Sequence, residues 1–88
     1  MNIIELSQRA QKFLNKLDRN IKDRIEGKLK ELKINPVPSD AIFIGRHNND
    51  KIFRCRIGSY RALYKLKIKE RIILITKIDK RSRIYKGL

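Results

Sequence analysis

Six side chains in the second half of the chain carry groups suited to phosphate: Arg54, Arg56, Arg61, Arg81, Arg83 and Tyr85. A guanidinium pairs bidentately with phosphate oxygens and can neutralise the added charge of a pentacoordinate transition state. A tyrosine can stack on a base or exchange a proton. Their spacing allows them to converge. In Lys51–Ile57, Phe53, Cys55 and Ile57 alternate with Ile52, Arg54 and Arg56, so an extended segment buries the first set and presents both arginines together. Beyond Gly58-Ser59, a two-residue turn by composition, Arg61, Leu63, Lys65 and Lys67 share one face and Tyr60, Ala62, Tyr64, Leu66 and Ile68 the other. Lys77 is expected on the basic face, and the tail Lys80-Arg-Ser-Arg-Ile-Tyr-Lys86 follows it. Arg54, Arg56, Arg61, Arg81 and Tyr85 are thus the candidate reactive set, ringed by Lys51, Lys65, Lys77, Lys80, Arg83 and Lys86 as candidate nucleic-acid contacts. A solvated basic face that keeps sheet edges from pairing with other chains accounts for the same residues without chemistry.

Other reactive groups are weaker candidates. His47 has the only side chain that ordinarily titrates near neutrality, but it stands in a polar Asn/Asp-rich stretch with no partner motif and reads as a surface histidine. Cys55 alternates with apolar neighbours and has no paired base, so it reads as core, as do Tyr60 and Tyr64. A single cysteine excludes an internal disulfide, and no Cys/His cluster suggests zinc; neither metal nor cofactor is expected.

The elements that must position the arginines follow from periodicity. Asn2–Leu6 reads as a strand ending at a Ser7 cap. Ala10, Phe13, Leu14 and Leu17 form one face of a first helix. Ile21, Ile25, Leu29 and Leu32 form one face of a second, capped by Asp18 or Asn20. Asn35-Pro36-Val37-Pro38 stops the helical half. Ala41–Ile44 reads as a short strand, Gly45–Asp50 as a polar loop, and Lys69-Glu70 as the turn into a last strand over Arg71–Ile78. The expected fold is α+β, in the order β-α-α-β-β-β-β, with an antiparallel sheet packed on a helical hairpin and one sheet face open. At 88 residues the chain fits one domain, 1–88. Charge is concentrated where the arginines are: residues 1–40 hold 9 basic and 6 acidic side chains, residues 41–88 hold 14 and 3, and the whole chain carries +14. That excess points to a polyanionic partner. With neither a basic leader before a long apolar stretch nor an aliphatic run longer than Ile72–Ile75, the expectation is a cytoplasmic protein with no membrane contact.

The stretch Phe53-Arg-Cys-Arg-Ile-Gly-Ser-Tyr-Arg-Ala-Leu-Tyr64 resembles the RelE/ParE superfamily's basic strand, tight turn and Tyr-Arg-x-x-Tyr. Lys80-Arg-Ser-Arg-Ile-Tyr85 is similar to the basic C-terminal segment, ending in tyrosine, of the RNA-cutting RelE branch. The resemblance implies the RelE-like fold and a toxin of a type II toxin–antitoxin system. Such a toxin is a metal-independent endoribonuclease that cleaves mRNA in the ribosomal A site by 2′-hydroxyl attack. By this resemblance Arg61 matches the transition-state-stabilising arginine, Arg81 the arginine that assists the leaving 5′-oxygen, and Tyr85 the tyrosine that stacks on a base; Arg83 is a phosphate contact. Arg54 and Arg56 fall where some members carry two lysines. This is a departure, because arginine does not readily give up its proton to act as a base. The implied partners are mRNA and rRNA of the ribosome and a RelB-like antitoxin that binds an otherwise monomeric toxin into a hetero-oligomer. Two alternatives stay open: a ParE-like gyrase poison and a non-catalytic basic RNA-binding protein.

Overall fold

The computed structural model describes residues 2–87. Its elements are β1 (Ile3–Leu6), α1 (Gln8–Asn15), α2 (Arg19–Leu32), β2 (Ile42–His47), β3 (Asp50–Ile57), β4 (Tyr60–Lys67) and β5 (Ile72–Lys80), in the expected β-α-α-β-β-β-β order. Ser7 both ends β1 and starts α1. Its hydroxyl accepts the Ala10 N–H at 3.1 Å and donates to the Thr76 carbonyl at 2.9 Å, so one side chain caps the helix and ties it to β5. Asp18 holds the N-cap position of α2 without a side-chain cap bond. After α2 the prolines end helical structure, and the Tyr64 hydroxyl donates to the Pro36 carbonyl at 2.6 Å, which fastens the connection to the sheet.

The sheet order is β1-β5-β4-β3-β2. Three antiparallel pairings, β2 with β3, β3 with β4 and β4 with β5, follow from short connections. The expectation of a wholly antiparallel sheet is corrected at the edge: β1 lies parallel to β5, Ile3 opposite Ile72 and Leu6 opposite Ile75, and the sheet is mixed. Residue alternation tells which face a side chain takes and is silent on strand direction. Parallel neighbours need a long crossover, and here most of the chain lies between the two strands. A second correction concerns residues 45–50. β2 continues through His47, and the turn is only Asn48-Asn49, with φ of 51° and 70°. Asparagine tolerates this left-handed geometry, so a polar composition concealed a two-residue hairpin on an exposed edge strand.

The helices cover one sheet face. Leu14, Ile25, Leu29 and Leu32 join Phe53, Cys55, Tyr64, Ile73 and Ile75 in a single apolar core, where the Phe53 and Tyr64 rings stack with centroids 5.7 Å apart. Each aliphatic side chain buried there contributes roughly 1.5–3 kcal/mol. The opposite face, expected to be open, is partly covered by the tail, which folds back as consecutive turns. The Arg81 N–H donates to the Ser59 carbonyl (2.9 Å), Arg83 N–H to Lys80 (2.9 Å) and Lys86 N–H to Arg83 (3.0 Å). Ile84 is seated there, 1% exposed and apart from the main core. No helix among the described residues is long and apolar enough to cross a membrane.

Candidate functional site

Where β3, β4 and the tail meet, a cleft of about 390 Å³ is lined by Asp40, Ile42, Arg54, Arg56, Arg61, Arg81, Ile84 and Tyr85. Alternation along β3 sends Arg54 and Arg56 to the face away from the helices, and the β3–β4 register sets Arg61 directly opposite Arg56. The bond from Arg81 N–H to the β3–β4 turn delivers its side chain to the rim. Tyr85, 46% exposed, follows the buried Ile84, and its hydroxyl accepts from Arg54 Nη1 at 3.1 Å. All five residues of the candidate reactive set therefore line one cleft.

Arg61 is the deepest of them at 6% exposed. Its Nη1 donates to the carbonyls of Gly58 (2.9 Å) and Tyr60 (2.8 Å), so part of the guanidinium holds the turn while the rest lines the cleft. Burial lowers its pKa from the ordinary arginine value, and the like charges of Arg56, Arg54 and Arg81 lower it further, with Tyr85 opposing. Four guanidinium groups are thus held near one another at a cost that an anion would relieve. Arg54 Nε is buried without a hydrogen-bond partner among the described residues. Leaving such a donor unpaired costs about 1–3 kcal/mol.

The candidate nucleic-acid contacts separate. Lys80, Arg83 and Lys86 are exposed beside the cleft-bearing tail. Lys65 lies on the same sheet face as Arg61, and its ammonium donates to His47 Nδ1 at 2.6 Å. Lys51 is not brought to the site: it shares the alternation of Phe53 and Cys55 and so takes the helix-bearing side at the far end of β3. Lys77 is on the expected face but is 6% exposed, and its ammonium donates to the carbonyls of Arg83 (3.2 Å) and Lys86 (2.7 Å). Asp40 and Ile42 line the cleft although the sequence reading passed over them. Ile42 opens β2 opposite Arg54, whereas Asp40 arrives through the Pro-rich connection, which has no periodicity to follow, and its carboxylate is engaged by Lys28 Nζ at 3.3 Å. Cys55 lies in the core, where burial pushes its thiol up to about 11. Among the described residues no group of three or more His, Cys, Asp or Glu side chains converges. The cleft therefore offers guanidinium groups, one phenol and one carboxylate.

Residues 4–85 match the family model described as ParE toxin of type II toxin-antitoxin system, parDE. The curated protein "Putative toxin RelE1" of Methanocaldococcus jannaschii is 33% identical over 85 residues, which cover 96% of this chain and 94% of that one. The archaeal RelE–RelB complex from Pyrococcus horikoshii OT3 aligns with a TM-score of 0.83 at 26% identity, over 93% of this chain and 97% of its counterpart. The intact RelBE toxin–antitoxin complex of E. coli, at 19% identity and a TM-score of 0.73 over 91% and 96%, shares the fold. On this likeness in sequence and fold, the chain belongs to the RelE/ParE superfamily and is a RelE-type toxin of a toxin–antitoxin system.

Proposed function

We propose that this toxin is a cytoplasmic endoribonuclease of one domain that cleaves mRNA in the ribosomal A site without a metal ion. The observation that carries the reading is the convergence of Arg54, Arg56, Arg61, Arg81 and Tyr85 on one cleft. The ribose 2′-oxygen attacks the adjacent phosphorus as the P–O5′ bond breaks, leaving a 2′,3′-cyclic phosphate and a 5′-hydroxyl. Arg61 and Arg56 neutralise the non-bridging oxygens as their charge grows, and Arg81 stands beside the leaving 5′-oxygen. Tyr85, oriented by Arg54, stacks on a base of the target codon. A guanidinium keeps its proton, so the 2′-hydroxyl proton passes to water and the 5′-oxygen takes one from water. The free toxin is a monomer; a RelB-like antitoxin of acidic character covers it in a hetero-oligomer. Support for that partner comes from the +14 charge and from the solved neighbours being RelE–RelB complexes.

Single-turnover cleavage of ribosome-bound mRNA tests this. Arg81→Ala and Arg61→Ala are each expected to slow cleavage by about two to three orders of magnitude with ribosome binding retained, because both groups act on charge present only in the transition state. Undiminished cleavage by Arg81→Ala, or fragments ending in a 5′-phosphate, would count decisively against the mechanism. The matching family model is described as a ParE toxin, which favours the second reading that the resemblance to the ParE-like branch implies, gyrase poisoning. Accumulation of gyrase–DNA cleavage complexes by the same preparation, with mRNA left intact, would replace the first reading by the second.

A further inference from the structure

Lys77 sits where a nucleic-acid contact was expected, yet its amine is turned inward. It pairs with Leu63 across β4 and β5, is 6% exposed, and donates to two backbone carbonyls of the tail, Arg83 at 3.2 Å and Lys86 at 2.7 Å. We propose that Lys77 is a positioning residue, a strut whose buried ammonium clamps the C-terminal turns so that Arg81 and Tyr85 face the arginines of β3 and β4. The inference rests on the cleavage reading above.

Three observations support the strut. Residues 81–87 form neither helix nor strand, and their turns rest on few bonds, so something outside the segment must select one arrangement. Their attachments bracket the two functional side chains. Arg81 N–H holds Ser59 O at the near end, and Lys77 holds the carbonyls of 83 and 86 on either side of Tyr85. Ile84, 1% exposed, lies between the two clamped carbonyls and fixes the depth at which the turn docks. The Arg83 carbonyl accepts from both the Lys86 N–H (3.0 Å) and the Lys77 ammonium, so the cation reinforces a turn that the tail itself forms, as lysine does at the carbonyl end of a helix.

The energetics argue against a purely stabilising role. Burying an ammonium is costly, and an apolar side chain at the centre of β5 would serve stability better. A lysine is understandable if the carbonyls of a weakly structured tail must be held in one register. A misplacement of about 1 Å in a group that acts on the transition state can cost about a hundredfold in rate.

The test compares Lys77→Met, which keeps the length and apolar stem but has no donor, with Lys77→Arg, which keeps charge and donors. For Lys77→Met, amide hydrogen exchange at Arg83 and Lys86 is expected to quicken at least tenfold while the β3–β4 ladder is unchanged. The kcat for ribosome-bound mRNA should fall by about a hundredfold, with KM within about twofold of the parent. Lys77→Arg should recover part of both. Should Lys77→Met not fold, Lys77→Gln, whose amide still donates but on a shorter and uncharged side chain, is measured against Lys77→Arg for the same signature. Unchanged exchange at Arg83 and Lys86 would overturn the strut. So would a raised KM with kcat intact, which would make Lys77 a nucleic-acid contact. If the parent protein cleaves no RNA, the cleavage reading falls, and the exchange comparison alone decides whether Lys77 orders the tail.

Discussion

Arg56 and Arg61 stand opposite each other on neighbouring strands, with Arg54 and Arg81 lining the same cleft. Like charges placed directly across a sheet destabilise it by up to about 1 kcal/mol, so the cleft keeps a charge arrangement that folding alone would disfavour. Arg56→Ala is therefore expected to raise stability by about 0.5 kcal/mol at low salt, less at high salt, while slowing cleavage; urea midpoints at two ionic strengths, with a cleavage assay alongside, measure both. Arg61→Ala is expected to behave in the opposite sense for stability. Its Nη1 bonds to the Gly58 and Tyr60 carbonyls are charge-assisted, and their loss should cost about 2 kcal/mol in addition to the loss of cleavage. A stability gain for Arg61→Ala would mean that its repulsion outweighs its turn contacts.

The β3–β4 hairpin sets the pairing of Arg56 with Arg61, and its turn depends on Gly58. This residue has φ of +57°, and a Cβ there would lie 2.9 Å from Arg24 Nη1 of α2. The arginine tip can swing away, but the backbone cost remains, so Gly58→Ala should lower stability by about 1–2 kcal/mol. The β2–β3 hairpin offers the reverse case. Asn49 holds φ of 70° at the second turn position, where glycine carries no Cβ penalty, and Asn49→Gly should raise stability by about 0.5–1 kcal/mol. Thermal midpoints of the two variants should move in opposite directions; a shift of the same sign would show that the two turns are not held as described.

The whole molecule joins an apolar core to a strongly cationic surface, and the two respond to different variables. Cys55 is raised from 9.0 to about 11 by burial, and Tyr64 is raised as well, burial again being the main cause. A group whose folded pKa lies above its unfolded value contributes stability that is complete below the unfolded pKa and is lost as pH climbs through the folded one. Stability should thus decline between about pH 9 and pH 11, by roughly 2 kcal/mol from the thiol, and the decline should be shallower in Cys55→Ala. Urea titrations across that window measure it, and equal slopes would remove the thiol from the account. RNA binding should respond to salt instead. With about five phosphate contacts, from Arg54, Arg56, Lys80, Arg83 and Lys86, log K should fall against log salt with a slope near −3.5. A slope near zero would mean that the cationic cleft is not the RNA surface.

Period-two alternation in β3 and β4 was sufficient to place Arg54, Arg56 and Arg61 on one face, and helical spacing was sufficient to place Leu14, Ile25, Leu29 and Leu32 in the core, because these patterns are local consequences of backbone geometry. The excess of charge likewise lies in the half of the chain that supplies the cleft arginines. Local pattern could not decide whether an edge strand runs parallel or antiparallel, and β1 took the parallel option beside β5. Nor could it distinguish Lys77, buried against tail carbonyls, from Lys80, exposed three residues later, since the same side chain serves as strut or surface charge according to what folds over it. Asp40 came to the cleft for a similar reason, carried by a proline-rich connection whose path follows from a bond between Tyr64 and Pro36, residues 28 apart in the chain. Side-chain chemistry and facing were set by near neighbours along the chain; strand direction, burial of charge and assembly of the cleft were decided by packing between segments far apart in sequence.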